Sequence, residues 1–171
     1  MEKDAFDDIL DQWSAERPEL DTSSLGVVIR IMSLYRSFLR DATRALEPLE
    51  LELWEYDVLS ALRRQGRPYS LSASRLARET DLSTGAMTNR IDRLEEQSLV
   101  RREPHHSDRR RVMVFLTDEG IARIDNAIHQ RLNSAALSLR SLNKPDQQTL
   151  ASLLRKLVLN AEPERPGACP P

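Results

Sequence analysis

The sequence contains little of what disulfide-bonded, membrane-spanning or loop-rich proteins need. Its single cysteine, Cys169, excludes an intrachain disulfide, and the surrounding segment PERPGACPP offers nothing to stabilise a thiolate. No run of about 18 apolar residues occurs, so no transmembrane helix is expected. The 171 residues include only 5 glycines, with 40% hydrophobic and 30% charged residues, which is typical of one helix-rich globular domain. The N-terminus is acidic, which argues against a signal peptide and favours the cytoplasm.

Motifs for catalysis and for metal or cofactor binding are also missing. The sequence has no P-loop, no G-x-G-x-x-G and no H-E-x-x-H. Its histidines, His105, His106 and His129, have no acid and nucleophile at a recognisable spacing, and the adjacent pair lacks two further metal ligands. We therefore expect a protein that is not an enzyme and that has no cofactor and no metal site.

Charge is distributed unevenly along the chain, although the net charge is only -2. Residues 1–25 contain eight acidic and two basic side chains, whereas residues 98–111 contain five arginines and two acids. An anionic partner is therefore expected to meet the middle of the chain.

Hydrophobic spacing predicts a mainly α (α+β) fold in which helices surround a short hairpin. The predicted helices cover residues 4–17, 24–46, 51–65, 72–80 and 84–97, followed by one that starts at 118 and one that starts at 145. The segments SLVRRE and RVMVFLT alternate with a period of two and predict a two-stranded hairpin with the loop PHHSDRR. The helix 24–46 is apolar around most of its circumference, so it should be buried in a core or between subunits.

The helix 84–97 has the pattern of a recognition helix for the DNA major groove. Its buried side is marked by Met87, Ile91 and Leu94, and Arg90 lies at the edge of that stripe. Small and polar residues fall on the other faces and the N-terminal turn: Ser83, Thr84, Gly85, Thr88, Asn89 and Arg93. Small residues at a helix N-terminus permit close approach to phosphates and base edges.

The hairpin loop completes a winged helix-turn-helix. His106, Arg109 and Arg110 lie at its tip, from which a guanidinium group can enter the minor groove. On charge and periodicity alone, a solvated charge run on a small α+β domain remains the alternative.

The predicted elements divide the chain into four regions. These are an N-terminal extension with a dimerisation helix (1–46), the winged helix-turn-helix region (47–117), C-terminal dimerisation helices (118–162) and a flexible tail (163–171). The terminal helices offer more apolar surface than a small domain needs, which favours a homodimer.

The segment LSTGAMTNRIDRLEEQSLVRREPHHSDRRRVMVFLTDEG resembles the signature of the MarR family of bacterial transcription regulators. The similarity runs through the D-x-R of the wing, Asp108 and Arg110, to the L-T-x-x-G around Thr117 and Gly120, and it covers about residues 24–160. The resemblance implies a dimer of winged helix-turn-helix domains on a double-stranded, pseudo-palindromic operator. It further implies that the protein is a repressor released by a small anionic ligand.

The N-terminal segment ILDQWSAERPELD resembles the extension of the urate-responsive subgroup of that family. The resemblance implies a ligand site formed by Trp13, Asp57, Arg64 and Arg90, in which Arg90 connects the ligand to the recognition helix. A planar anionic heterocycle such as urate suits an indole and two guanidinium groups. The residues alone also allow a packing role for Trp13, a surface ion pair for Asp57 and Arg64, and a phosphate contact for Arg90.

Two other functions stay open on the sequence. One is a MarR-type regulator that responds to a different phenolic or carboxylate ligand. The other is a protein-binding module that uses the acidic first helix and has no small-molecule effector.

Overall fold

The computed structural model describes residues 3–104 and 111–161. In chain order its elements are α1 (Ala5–Glu16), α2 (Ser23–Leu46), α3 (Leu53–Arg63), β1 (Ser70–Ser72), α4 (Ala73–Glu79), α5 (Thr84–Glu96), β2 (Val100–Pro104), β3 (Val112–Leu116), α6 (Asp118–Ser138) and α7 (Lys144–Asn160). The mainly helical architecture with a small sheet confirms the predicted fold class. The chain forms two compact units, Met1–Ala42 and Thr43–Pro171.

The first unit contains α1 and most of α2. The Asp4 carboxylate accepts hydrogen bonds from the first turn of α1, and the Asp7 carboxylate accepts one from the Asp4 backbone in return. Arg30 of α2 donates to both Asp4 oxygens and to Asp7, each at 2.8 Å. A Cβ atom at Gly26 would lie 2.9 Å from a methyl group of Leu10, so this glycine permits the close approach of α1 to α2.

The sheet has three antiparallel strands in the order β1, β3, β2, so the predicted two-stranded hairpin was incomplete. In the hairpin, Val100 lies opposite Leu116, and on the other side of β3, Leu71 of β1 lies opposite Val114. The sequence analysis assigned β1 to a loop and a helix start. A strand of three residues is too short to display the alternation by which strands are recognised.

The hydrophobic core lies in the second unit, between α3, α4, α5, α6 and the sheet. Met87, Ile91 and Leu94 of α5 are fully buried there, as their spacing predicted. The other fully buried large side chains of this core are Leu46, Val58, Leu59, Leu62, Leu76, Leu99, Val100, Val114 and Ile124. Ser83 caps α5 by accepting from the Ala86 backbone, and Thr117 caps α6 in the same way.

The terminal helices α2 and α7 carry a large exposed apolar surface. On α2 the exposed large side chains are Leu25, Val27, Val28, Ile31, Met32, Leu34, Tyr35, Phe38 and Leu39. On α7 they are Leu153, Leu154, Leu157, Val158 and Leu159. In the described residues these side chains of α2 are exposed, so its burial in a core or between subunits stays a prediction. None of the helices described here is long and apolar enough to cross a membrane.

Candidate nucleic-acid interface and effector site

The exposed side of α5 is small and polar, as the sequence predicted. Its N-terminal turn and outer face consist of the exposed residues Ser83, Thr84, Gly85, Thr88, Asn89 and Arg93. A Cβ atom built on Gly85 would meet no other atom within 4 Å. Within the described part of the chain, the side chains of Asn89 and Arg93 make no hydrogen bond or ion pair. Their donor groups are therefore available to a ligand on this face.

The hairpin β2–β3 follows α5 directly. Arg101 of β2 pairs with Glu103, and its guanidinium group lies 4.5 Å from the centre of the Phe115 ring of β3. The predicted wing-tip contacts, His106, Arg109 and Arg110, and the Asp108 of the D-x-R motif lie outside the described residues.

Arg102 connects the base of the hairpin to α5. Its guanidinium group donates to Glu95 from Nε at 2.8 Å and from Nη2 at 2.6 Å, and its Nη1 lies 2.7 Å from Asp92. The Arg102 backbone N–H donates to the other Glu95 oxygen at 2.9 Å. The hydrogen bonds from Arg102 lower the pKa of the Glu95 carboxyl. This contact was not predicted from the sequence. Asp92 and Glu95 lie three residues apart on a predicted helix, and Arg102 follows in a predicted strand, which is a signal from which the contact could have been predicted.

An open pocket of about 720 Å³ lies beside α5 in the second unit. Its lining includes Trp54 and Asp57 of α3 and Arg90 of α5. The Arg90 guanidinium lies 5.2 Å from the centre of the Trp54 ring, so this side chain turns towards α3, whereas its position at the edge of the buried stripe allowed an inward or an outward direction. The Trp54 indole donates to Glu52 at 3.0 Å. Through this cation–π contact, the conformation of an arginine of α5 depends on a residue that lines the pocket.

Asp57 is a carboxylate whose pKa is affected by three arginines of this region. The residue as a whole is open to solvent, but desolvation of its carboxylate by the surrounding protein raises its pKa. Arg131, Arg90 and Arg64 act in the opposite direction. In the described residues, the Asp57 carboxylate accepts no hydrogen bond and forms no ion pair within 4 Å. A carboxylate in this state is available to a donor group of a ligand.

Arg131 of α6 is a neighbour of this site that the sequence analysis did not identify. Its guanidinium lies 5.7 Å from the centre of the Tyr56 ring, and its Nε is buried without a hydrogen-bond partner. An unsatisfied buried donor is costly. The sequence pattern of α6 predicted a stripe of apolar packing residues. Arg131 lies between positions of that stripe, Ile128 and Leu132, so it was not identified as a candidate site residue.

The predicted ligand residues are only partly assembled. Asp57 and Arg90 line the same pocket, whereas Arg64, the residue that follows α3, does not line it. Arg64 instead donates to the Ser60 hydroxyl at 3.1 Å and lies 3.8 Å from Glu79. Trp13 lies on α1 in the first unit, where 45% of the residue is exposed.

Acidic side chains dominate the charge of the pocket. Glu47, Glu50 and Glu52 line it together with Asp57, and Arg90 is the only basic residue in the same lining. An anionic ligand was expected from the sequence, and the excess of acidic over basic side chains in the pocket was not anticipated. In the part of the chain that the structure describes, no three His, Cys, Asp or Glu residues are grouped closely enough to hold a metal ion.

Comparisons with known proteins identify the family and the fold of the chain. The family model described as "MarR family" matches residues 49–111. The HTH-type transcriptional regulator PecS of Dickeya dadantii (strain 3937) is 31% identical over 150 residues, which cover 88% of this chain and 90% of PecS. The MarR-family regulator AbsC of Streptomyces coelicolor has a TM-score of 0.75 at 24% identity and covers 81% of this chain and 94% of AbsC. A mutant of MarR from E. coli, in complex with operator DNA, has a TM-score of 0.67 at 25% identity, covering 85% of this chain and 96% of that one.

Proposed function

Because the chain belongs to the MarR family of DNA-binding transcriptional regulators, we propose that it is a repressor that binds a pseudo-palindromic operator as a homodimer. We further propose that a small anionic ligand such as urate releases it from the DNA. The observation that carries the first proposal is the exposed face of α5, which combines a small, polar N-terminal turn with side chains that have no partner in the described chain.

Major-groove reading by α5 requires that side chains reach the edges of the bases. Asn89 supplies an amide that can pair with adenine, and Arg93 supplies a guanidinium for a phosphate or a guanine. The N-terminal part of α5 could approach the DNA backbone closely, because its exposed residues Thr84, Gly85 and Thr88 are small. The hairpin tip, with His106, Arg109 and Arg110, is proposed to contact the adjacent minor groove.

A homodimer accounts for the exposed apolar surfaces of α2 and α7. Contiguous apolar surface of this extent marks association sites in proteins that do not enter membranes. Two copies related by a two-fold axis would present two α5 helices to successive major grooves, about 34 Å apart.

The DNA proposal is tested with a 30-base-pair duplex selected by the wild-type protein from a random library. Asn89→Ala should weaken binding to this duplex about 10-fold, because it removes a base contact, and should leave the salt dependence unchanged. Gln148→Ala on α7 is the matched control and should bind normally. Equal affinity of wild type and Asn89→Ala for the selected duplex would contradict the proposed role of α5.

Release by a ligand is proposed to act through Arg90. A planar anion that draws the Arg90 guanidinium away from Trp54 would shift α5, and a coupling of about 1 to 3 kcal/mol corresponds to a 5- to 150-fold loss of operator affinity. As the resemblance implies, Arg64 and Trp13 are also proposed to contribute to ligand binding, and Asp57, whose pKa is raised, would accept from a ring N–H. The contact of Arg90 with Trp54 supports this route.

The effector proposal is tested by calorimetric titration with urate, followed by competition against the selected duplex. Arg64→Gln should weaken urate binding about 10-fold, whereas Arg155→Gln on α7 should not change it. Arg90→Gln should bind urate more weakly and should lose urate-induced release. If Arg90→Gln loses DNA affinity but keeps urate affinity and urate-induced release, the coupling proposal is wrong.

The charge of the pocket favours a second class of effector, an amphipathic organic cation. Such a ligand could replace the Arg90 guanidinium over the Trp54 ring and be held by Glu47 and Glu50. Thermal-shift measurements with tryptamine, salicylate and urate separate the candidates, since only a bound ligand raises the melting temperature in a concentration-dependent manner. Stabilisation by salicylate alone would favour a different phenolic or carboxylate effector, and stabilisation by none would favour the protein-binding alternative.

A further inference from the structure

We propose that Arg102 is a positioning residue for DNA recognition, because it clamps β2 to α5 and makes the hairpin and the recognition helix meet the duplex as one body. This inference rests on the proposed function, in which α5 and the hairpin read adjacent grooves. It assigns a role to a residue that is not itself required to touch DNA.

The geometry of the clamp fixes both distance and angle. One guanidinium group is held by two carboxylates three residues apart on α5, Asp92 and Glu95, and the Arg102 backbone N–H is held by the second of them. Contacts with two helix positions about one turn apart resist sliding of the strand along α5. The added backbone hydrogen bond resists rotation of the strand about its own axis, because the side chain and the main chain of Arg102 are restrained together.

Because the clamp is partly exposed, its effect on the positioning of the hairpin can be measured apart from its effect on the stability of the fold. About a third of the Arg102 and Glu95 side chains is accessible. Exposed ion pairs contribute little to the free energy of unfolding. Loss of the clamp should therefore leave the protein folded while it loosens the hairpin relative to α5.

The chain contains a matched control in the neighbouring residue. Arg101 belongs to the same strand and carries the same charge, but it points to the other face, where it contacts Glu103 and the Phe115 ring. Arg101→Gln and Arg102→Gln thus remove the same charge from the same strand, and only the second disconnects the strand from α5.

Glu95→Gln distinguishes positioning from simple charge. Removal of a negative charge next to bound DNA should strengthen binding if only electrostatics matters, because phosphates are repelled by carboxylates. Both Glu95 oxygens accept from Arg102, and glutamine replaces one of them by an NH2 group, so the substitution should instead weaken binding if the clamp positions the hairpin. The two explanations therefore predict changes of opposite sign.

The experiment measures the affinity of the four variants Arg101→Gln, Arg102→Gln, Glu95→Gln and the double variant Glu95→Gln with Arg102→Gln. Two duplexes are used, the one selected by the wild-type protein and an unselected one of equal length. Arg102→Gln and Glu95→Gln should each lose about 10-fold affinity for the selected duplex and less than about 3-fold for the unselected duplex. The double variant should be no weaker than Arg102→Gln, since both changes break one clamp. Arg101→Gln should weaken both duplexes by the same small factor.

Three outcomes overturn the proposal. These are tighter binding by Glu95→Gln, equal losses for both duplexes in Arg102→Gln, and a loss in Arg101→Gln as selective as that in Arg102→Gln. Circular dichroism and melting temperature check that the variants are folded. Arg102→Lys retains the charge but cannot bridge both carboxylates, so it should recover only part of the affinity.

The Asn89→Ala variant keeps this test separate from the proposed function. If Asn89→Ala weakens selective binding and Glu95→Gln does not, the clamp alone is wrong. If neither variant weakens it, the clamp is wrong because α5 is not the recognition helix.

Discussion

The core around α5 and the terminal helix α7 use leucine in opposite ways. Leu94 of α5 is fully buried in the core of the second unit, whereas Leu157 of α7 is 56% exposed although it belongs to an equally regular apolar stripe. Both helices are well capped, by Ser83 and by Asn143. Local helix signals are therefore equally good in both, and only the surroundings differ.

This difference teaches that the elements proposed to read DNA complete their core within one chain, and that in the described residues the apolar stripe of α7 does not. The proposed homodimer supplies a neighbour for such a stripe. The predictions below test this contrast.

The largest effect is expected for truncation of the core. Leu94→Ala should reduce the free energy of unfolding by about 2 to 5 kcal/mol, because it removes buried methyl groups and leaves a cavity. Gln148→Ala, at an exposed polar site of α7, should change it by less than about 1 kcal/mol. Urea denaturation of both variants makes the comparison, and similar losses would refute the contrast.

A charge in the exposed stripe of α7 should separate the subunits. Leu157→Asp should raise the dimer dissociation constant about 100-fold, since a carboxylate would be buried in an apolar interface. Sedimentation velocity over a range of concentrations measures the change, and Gln148→Asp on the same helix should have no such effect. A Leu157→Asp protein that remains as dimeric as wild type would show that α7 does not form the interface.

Two glycines should respond in opposite directions to alanine. A Cβ atom at Gly120 would lie 2.0 Å from the Leu99 carbonyl oxygen, so Gly120→Ala should destabilise the fold by about 1 to 3 kcal/mol. Gly85 has open space around it, so Gly85→Ala should stabilise α5 by about 0.5 to 1 kcal/mol. The same Gly85→Ala protein should bind DNA more weakly if this turn approaches the backbone. Melting curves and DNA titrations report the two effects independently, and unchanged DNA affinity would argue against that approach.

The smallest effect concerns Asp57. Its raised pKa means that the ionised carboxylate is disfavoured in the folded state, and this penalty is present above the raised pKa and vanishes as the pH falls below the ordinary value of 3.8. Asp57→Asn should therefore raise the melting temperature by about 1 to 2 °C at neutral pH and by nothing near about pH 3. A destabilised Asp57→Asn protein at neutral pH would instead show that the arginines around it depend on its charge.

The sequence predicted the helices well because their signals are local. The spacing of Met87, Ile91 and Leu94 located α5 to within one residue. Strand β1 escaped detection because three residues show no period. The position of Arg90 followed from helical geometry, but its partner Trp54 depends on how α3 and α5 pack.

The candidate effector site was less accessible to prediction. Arg131 of α6 comes to lie near Tyr56 and Asp57 of α3 only through the packing of two distant helices, which no spacing along the chain reveals. The acidic lining of the pocket arises because the turn after α2 and the start of α3 bring Glu47, Glu50 and Glu52 to the same cavity. The roles of Trp13, Asp57, Arg64 and Arg90 in ligand binding stay predictions.

The central claim is that two copies of this chain present two α5 helices to one operator, and DNase I footprinting on the selected DNA tests it most directly. The account predicts two protected blocks centred about one helical turn apart, at a stoichiometry of two chains per duplex. It also predicts that Leu157→Asp abolishes the paired pattern and that Gln148→Asp preserves it. A single protected block occupied by one wild-type chain would contradict the account.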